Sequence, residues 1–335
     1  MYIAKIGIIG AGAWGTALAQ AIASKRHNTI VWAFEEEVAN NINLQNSNPD
    51  YLPGIKLSAG IKATTDIKEA ANSDVVLMVT PAQFMRSVAE AIAPALRPLT
   101  PIVICSKGIE QETGQLMTEI ASNTLINHPI AILSGPTFAE EVARGLPTAV
   151  TLATSDKVVG KTLVDAIGTQ TFRPYLNHDV IGAEIGGAIK NVLAIACGIA
   201  EGKRFGNNGR AALVTRGLAE MTRLCVAKGG QAQTIMGLSG IGDLALTCTS
   251  TQSRNYSLGI ELGEGRKLSD IMAGRKSVAE GVFSAAAVSA LASKLKIDMP
   301  ISAGINAIVN HGESVEKIIR DLLSRPFRIE SEHLQ

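Results

Sequence analysis

The chain has 335 residues, 46 % of them hydrophobic, and 31 Lys+Arg against 30 Asp+Glu leave a formal charge of +1. Such a length suggests about two domains, and the hydrophobic fraction is ample for two cores. Balanced charge without a long run of one sign excludes a nucleic-acid footprint and a polybasic membrane patch, so the expected partner is a small molecule. Cys105, Cys197, Cys225 and Cys248 form no Cys-x-x-Cys pair, which fits a reducing, cytoplasmic setting. His27, His128, His178, His311 and His333 show no metal-ligand spacing, and no metal is expected. The apolar run after Lys5 is too short for a signal peptide.

That run, residues 6–9, has the length of a buried strand and stops at Gly10-Ala11-Gly12-Ala13-Trp14-Gly15, after which helix-compatible residues begin. In a G-x-G-x-x-G turn Gly10 permits the bend, Gly12 lets backbone approach a pyrophosphate, and Gly15 lets the helix lie close on the strand. Phosphates then sit at the helix N-terminus, Ala13 and Trp14 included. A second strand over 29–33 ends where a dinucleotide fold places its ribose-recognition residue, here Phe34 followed by Glu35, Glu36 and Glu37. Either Glu35 faces the ribose or the glutamates are only the acidic first turn of the next helix. The segment 48–54 reads as a turn-rich loop.

Near-continuous apolar runs at 75–80, 102–105 and 130–133 predict strands covered on both faces, hence a mainly parallel, doubly wound sheet. Ligands of such sheets bind beyond the strands' carboxyl ends. Three loops lie there: Thr80-Pro81, Ser106-Lys107-Gly108, and the stretch from Ser134 to Ala139 that includes Gly135 and Thr137. Lys107 is a ligand contact or a solvated loop lysine. Strand-like pieces at 149–152 and 171–175 close the domain.

Beyond residue 179 only helices are expected, giving a Rossmann-type domain over 1–178 and an all-helical domain over 179–335. Asp179 is a plausible N-cap for a long helix with an apolar face from Ile181 to Ile199. On another stripe Gly186, Gly187 and Lys190 recur, and two mid-helix glycines cost roughly 1 kcal/mol each, so something must approach closely there. Lys190, beside Asn191, would lie over the glycine groove; the alternative is a snorkelling lysine. The glycine-rich stretch 237–243 ends in Asp243, one helical turn before Thr247. Ser253-Arg254-Asn255 suits a phosphate or carboxylate, unless Arg254 is merely a surface residue.

The ordered segments GAGAWGTALA, NPDYLPGI, SKGIE, LSGPTFAEEVARGLPTAV, EIGGAIKNVLAIACGI, MGLSGIGDLALTCTSTQSRN and VAEGV resemble the bacterial glycerol-3-phosphate dehydrogenases [NAD(P)+], from about residue 5 to 325. The resemblance implies reversible hydride transfer between sn-glycerol 3-phosphate and dihydroxyacetone phosphate, with NAD or NADP, in phospholipid precursor synthesis. It places Lys190 on the catalytic lysine and implies substrate contacts at Lys107, Gly135, Thr137, Lys190, Asp243, Ser253, Arg254 and Asn255. Cofactor contacts carry over to Trp14, Lys107, Ala139, Arg254, Val278 and Glu280, and a homodimer is the family expectation. Ala13 stands where many relatives have serine, and Phe34 where they commonly carry arginine or histidine. The expectation is therefore use of both cofactors with a weakened NADPH preference. Competing readings are a two-domain reductase of hydroxy or keto acids and a nucleotide-sensing module without turnover.

Overall fold

The structure is a computed structural model that describes residues 3–25, 28–274 and 279–327. The chain divides into two compact units, Met1–Lys107 with Leu116–Val180, and Gly108–Gln115 with Ile181–Gln335.

The first unit is built on eight strands: β1 (Lys5–Ile9), β2 (Asn28–Trp32), β3 (Ile61–Thr64), β4 (Val75–Met78), β5 (Ile102–Ile104), β6 (Ile130–Ser134), β7 (Thr148–Ala153) and β8 (Phe172–Asn177). They form one sheet in the order β3-β2-β1-β4-β5-β6-β7-β8. Every neighbouring pair is parallel except β6 with β7, whose register pairs Leu133 with Leu152. The doubly wound expectation therefore holds, with an antiparallel turnover before the last two strands. β4 and β5 are buried at every position, as strands with both faces covered must be.

The covering helices are α1 (Ala13–Ala23), α2 (Glu36–Asn40), α3 (Ile67–Ala71), α4 (Met85–Ile92), α5 (Met117–Thr124), α6 (Ala139–Ala143) and α7 (Lys157–Ile167). α2 runs on through a π-helical turn over 41–45 that ends at Asn46, in a left-handed conformation. The core gathers Ile6, Ile8, Leu18, Ile22, Leu77 and Val103 with Phe172 from β8. Each such side chain contributes roughly 1.5–3 kcal/mol by leaving water. Trp14 of α1 packs on Phe172 with ring centroids 6.3 Å apart. In the sheet order β8 lies five strands from β1, about 24 Å in a flat sheet at ~4.8 Å per strand. The sheet is thus curled, bringing its last strand to the helix that follows its first.

The second unit is helical: α8 (Val180–Gly202), α9 (Gly206–Ala227), α10 (Ala232–Ile235), α11 (Asp243–Thr249), α12 (Arg254–Gly263), α13 (Leu268–Ala273), α14 (Glu280–Lys294), α15 (Pro300–His311) and α16 (Val315–Leu323). α8 differs from the amphipathic helix expected, because every residue from Gly182 to Ala200 is buried. A helix apolar nearly all round belongs in a core. It is long and apolar enough to cross a membrane, yet nearly all of it lies buried inside the protein. Where α8 crosses α12, Gly198 faces Gly259 and Gly202 faces Gly263, with backbones so close that a methyl group on Gly259 would overlap the Ile195 carbonyl oxygen. Buried Glu220 of α9 caps α15: its carboxylate accepts from the Ile301 and Ser302 amides at 2.6 and 3.0 Å and from the Ser302 hydroxyl at 2.8 Å.

Replacing Gly259 by alanine sets two effects against each other. Helix propensity favours alanine by up to ~1 kcal/mol, whereas forcing apart a closed backbone crossing costs about 1–3 kcal/mol. The clash should win: Gly259→Ala is expected to lower the urea midpoint by the equivalent of about 1–2 kcal/mol, and a raised midpoint would show that the crossing can open.

Candidate active site

In the first unit the three glycines of the β1–α1 turn do three different things. Gly10 has a φ of +122°, which side chains rarely adopt. Gly15 has no room for a methyl group, because one would overlap the Gly10 carbonyl oxygen; at Gly12, in contrast, a Cβ would meet nothing within 4 Å. One glycine makes the bend, one seats the helix, and the middle one faces open space. The first amides of α1, beginning at Ala13, have no intrahelical acceptor and add the positive end of the helix dipole.

Buried polar atoms without a protein partner include Trp14 Nε1, Thr80 Oγ1 and Ser134 Oγ. Thr80 and Ser134 lie at the carboxyl ends of β4 and β6, beside the expected ligand loops. An open glycine, unpaired helix amides and stranded donors are what a dinucleotide would complete, so the residues fit that group.

Lys107, after β5, donates from Nζ to the Gly135 carbonyl at 3.1 Å, and the Thr137 hydroxyl donates to the same oxygen at 3.2 Å. The structure therefore brings Lys107, Gly135 and Thr137 together, and α6 starts two residues later at Ala139. Phe34 is 80% exposed, with its ring edge-on to Trp32 at 6.2 Å. Glu35 accepts a hydrogen bond from the Tyr51 hydroxyl at 2.7 Å, a contact that the sequence did not suggest.

In the second unit the groove at Gly186 is filled by the chain itself. The backbone of the π-helical turn over 238–242 lies against it, with the Ser239 carbonyl where a Gly186 side chain would be. One turn further along α8, that close approach brings Asp243, the first residue of α11, onto Lys190. Nζ and Oδ1 are 2.5 Å apart, with the Lys190 side chain 10% exposed and the Asp243 side chain fully buried. Thr247 closes the pair, donating to the Asp243 carbonyl at 2.6 Å. Beneath it the Cys197 and Cys248 thiols share a hydrogen bond, which together with burial raises the Cys248 thiol well above its ordinary range. All four cysteines are buried and none forms a disulfide.

Ser253 caps α12 through its hydroxyl, which accepts from the Tyr256 amide at 3.2 Å, and Asn255 Oδ1 accepts from the Gly281 amide at 3.0 Å. A Cβ on Gly281 would also sit 2.7 Å from the Asn191 carbonyl, so the residue after Lys190, the start of α12 and the start of α14 share one corner. Arg254 is exposed at the first position of α12, and Glu280 opens α14. Val278, His27 and His333 lie outside the described residues. His128 and His178 are each tied through Nδ1 to a backbone carbonyl, of Thr100 and Thr154.

Two family models match, the NAD-dependent glycerol-3-phosphate dehydrogenase N-terminus over residues 5–159 and its C-terminus over 179–320. The chain belongs to the NAD-dependent glycerol-3-phosphate dehydrogenase family. It is 55% identical over 327 residues to the glycerol-3-phosphate dehydrogenase [NAD(P)+] of Parvibaculum lavamentivorans, covering 98% of each chain. The crystal structure of the glycerol-3-phosphate dehydrogenase from Coxiella burnetii matches with a TM-score of 0.92 at 38% identity, over 96% of this chain and 99% of that one. A ketopantoate reductase from Ralstonia eutropha shares only the fold, with a TM-score of 0.60 at 16% identity over 96% of this chain and all of that one.

Gly12 and Gly15 should separate binding from folding. Gly12→Ala is expected to unfold like the parent while losing dinucleotide affinity, because the methyl group enters open space where a ligand would lie. Gly15→Ala should lose stability, by about 1–3 kcal/mol as for other overpacked sites. Thermal unfolding beside a titration with NADH checks both; equal behaviour of the two variants would contradict the assignment of roles.

Proposed function

We propose that the chain is an NAD(P)-dependent glycerol-3-phosphate dehydrogenase that interconverts sn-glycerol 3-phosphate and dihydroxyacetone phosphate and supplies glycerol 3-phosphate to phospholipid synthesis. The observation that carries the chemistry is the buried Lys190–Asp243 pair, in a chain of this family. In the proposed dinucleotide-binding domain, over 1–178, Gly10, Gly12, Ala13, Trp14 and Gly15 would hold the pyrophosphate, with Phe34, Lys107 and Ala139 as further cofactor contacts. The helical part, over 179–335, adds Arg254, Val278 and Glu280 to the cofactor contacts. The bound nicotinamide supplies or accepts the hydride.

Lys190 handles the proton. Held against Asp243 at 2.5 Å, its ammonium would donate to the ketone oxygen as hydride reaches the carbonyl carbon, and its neutral amine would take the proton back in oxidation. Asp243 aims the ammonium and Thr247 holds Asp243. Arg254, exposed where Ser253 has started a helix, suits the substrate phosphate by charge and by its forked donors. Ser253, Asn255, Lys107, Gly135 and Thr137 complete the proposed substrate contacts. Buried cysteines without a disulfide support a cytoplasmic location. A homodimer is supported by α9, of which no residue from 206 to 216 is buried; light scattering at twice the 35.1 kDa chain mass is the expected result.

Oxidation of NADH or NADPH by dihydroxyacetone phosphate, followed by absorbance, tests the assignment; no turnover with either cofactor in either direction would refute it. Lys190→Ala should keep dinucleotide binding and lose turnover by at least about 100-fold. Arg254→Ala should raise KM for the phosphorylated ketone and scarcely affect the weak reaction with unphosphorylated dihydroxyacetone. Equal losses on both would remove Arg254 from the phosphate.

A further inference from the structure

We propose that Tyr51 is a positioning residue for cofactor selection: its hydroxyl fixes the Glu35 carboxylate at the ribose end of the dinucleotide cradle, so that the chain favours NADH over NADPH. The inference rests on the dinucleotide-binding reading above. In dinucleotide-binding folds an acidic residue about twenty positions beyond the glycine turn, after the second strand, accepts the ribose 2′-hydroxyl, whereas an arginine accommodates a 2′-phosphate. Glu35 stands twenty residues after Gly15 and three after the end of β2.

An exposed glutamate ordinarily samples many rotamers. Here Tyr51 Oη donates to Glu35 Oε1 at 2.7 Å and restrains it. The partner that holds it is itself held. Asn48, 1% exposed, donates from Nδ2 to the Ala11 carbonyl and to Thr16 Oγ1, both at 2.8 Å, and its Oδ1 accepts the Tyr51 amide at 3.3 Å. Leu52, 3% exposed, plugs the same loop into the core. A single asparagine thus ties the 48–54 loop to the glycine turn, and the loop passes that fixed geometry to the carboxylate. The bond to Glu35 is also the first cause of the raised Tyr51 phenol, which stays a donor at neutral pH.

A carboxylate engaged through Oε1 still has Oε2 to accept a ribose hydroxyl, and a bidentate acceptor fixed in place loses little entropy on doing so. A 2′-phosphate would meet that same fixed negative charge. With Tyr51 shortened by its hydroxyl, Glu35 could turn away from a phosphate and would be less well placed for a hydroxyl, so both affinities should move toward each other. Phe34, exposed and braced edge-on by Trp32, offers an apolar surface and no charge to offset the repulsion.

The test is a set of NADH and NADPH titrations, followed by tryptophan fluorescence without substrate, on the parent, Tyr51→Phe, Glu35→Ala and the double variant. The parent should bind NADH more tightly. Tyr51→Phe should narrow the ratio of Kd for NADPH to Kd for NADH by about threefold to tenfold, the equivalent of one hydrogen bond. Glu35→Ala should narrow it at least as far, and Tyr51→Phe should then change nothing further, an interaction that mere loosening of the loop would not produce. A parent that prefers NADPH, a ratio unmoved by Tyr51→Phe, or an equal effect of that substitution with and without Glu35 would overturn the proposal while leaving dinucleotide binding intact. Binding of neither dinucleotide would overturn both.

Discussion

A lysine and an aspartate out of water dictate much of the second unit. Taking two charges into an apolar interior costs several kcal/mol per ion unless their geometry is close and their remaining hydrogen-bonding capacity is met, and breaking such a pair leaves one charge stranded. The sequence meets these demands in order. Gly186 removes a side chain from α8, the turn over 238–242 enters the space with its own backbone, and Asp243 arrives one turn along the helix from Gly186, against Lys190. Thr247, a turn beyond Asp243, ties the latter's carbonyl. Glycines that weaken an isolated helix are thus the means by which the ion pair forms, and the burial of α8 from Gly182 to Ala200 holds the lysine's stem in place.

The first unit obeys the opposite constraint. Its glycine turn must leave space rather than fill it, and the open position at Gly12 sits between two glycines that are tightly enclosed. The opening is rigid because Asn48 reaches across from another loop to the turn's own carbonyl, at Ala11, and to Thr16 in the first turn of α1. Rigid space aimed by a helix N-terminus is what favours an anion over bulk water.

Features that depend on local pattern were legible in the sequence. The apolar strands, the glycine turn, the change to helices near residue 180 and a close approach at Gly186 all followed from periodicity and residue type, and the family motifs carried the family assignment. Features that depend on what lies opposite were not. β3 was missed because an edge strand reading IKAT buries little and shows no apolar run. The reversal at β7 leaves no local mark, since a strand's direction is set by its neighbours. α8 read as amphipathic because its polar residues, Glu184, Lys190 and Asn191, are buried rather than solvated. α9 begins at Gly206, within Phe205-Gly206-Asn207-Asn208-Gly209, a composition that by itself suits a turn rather than a helix. A Gly-x-x-x-Gly pair at 198 and 202, matched by another at 259 and 263, could have revealed the α8–α12 crossing. Nothing in the spacing of Glu35 and Tyr51 announces their hydrogen bond.

The contact between Trp14 and Phe172 has a consequence in time as well as in space. The glycine turn is synthesised well before the aromatic ring that backs its tryptophan, which belongs to the last strand of the same unit. Non-local closure of this kind is slow relative to helix formation. The turn's final packing is therefore a late product of folding: its glycines are made before the strand that backs them, and the packing behind them is complete only when the curled edge of the sheet folds home.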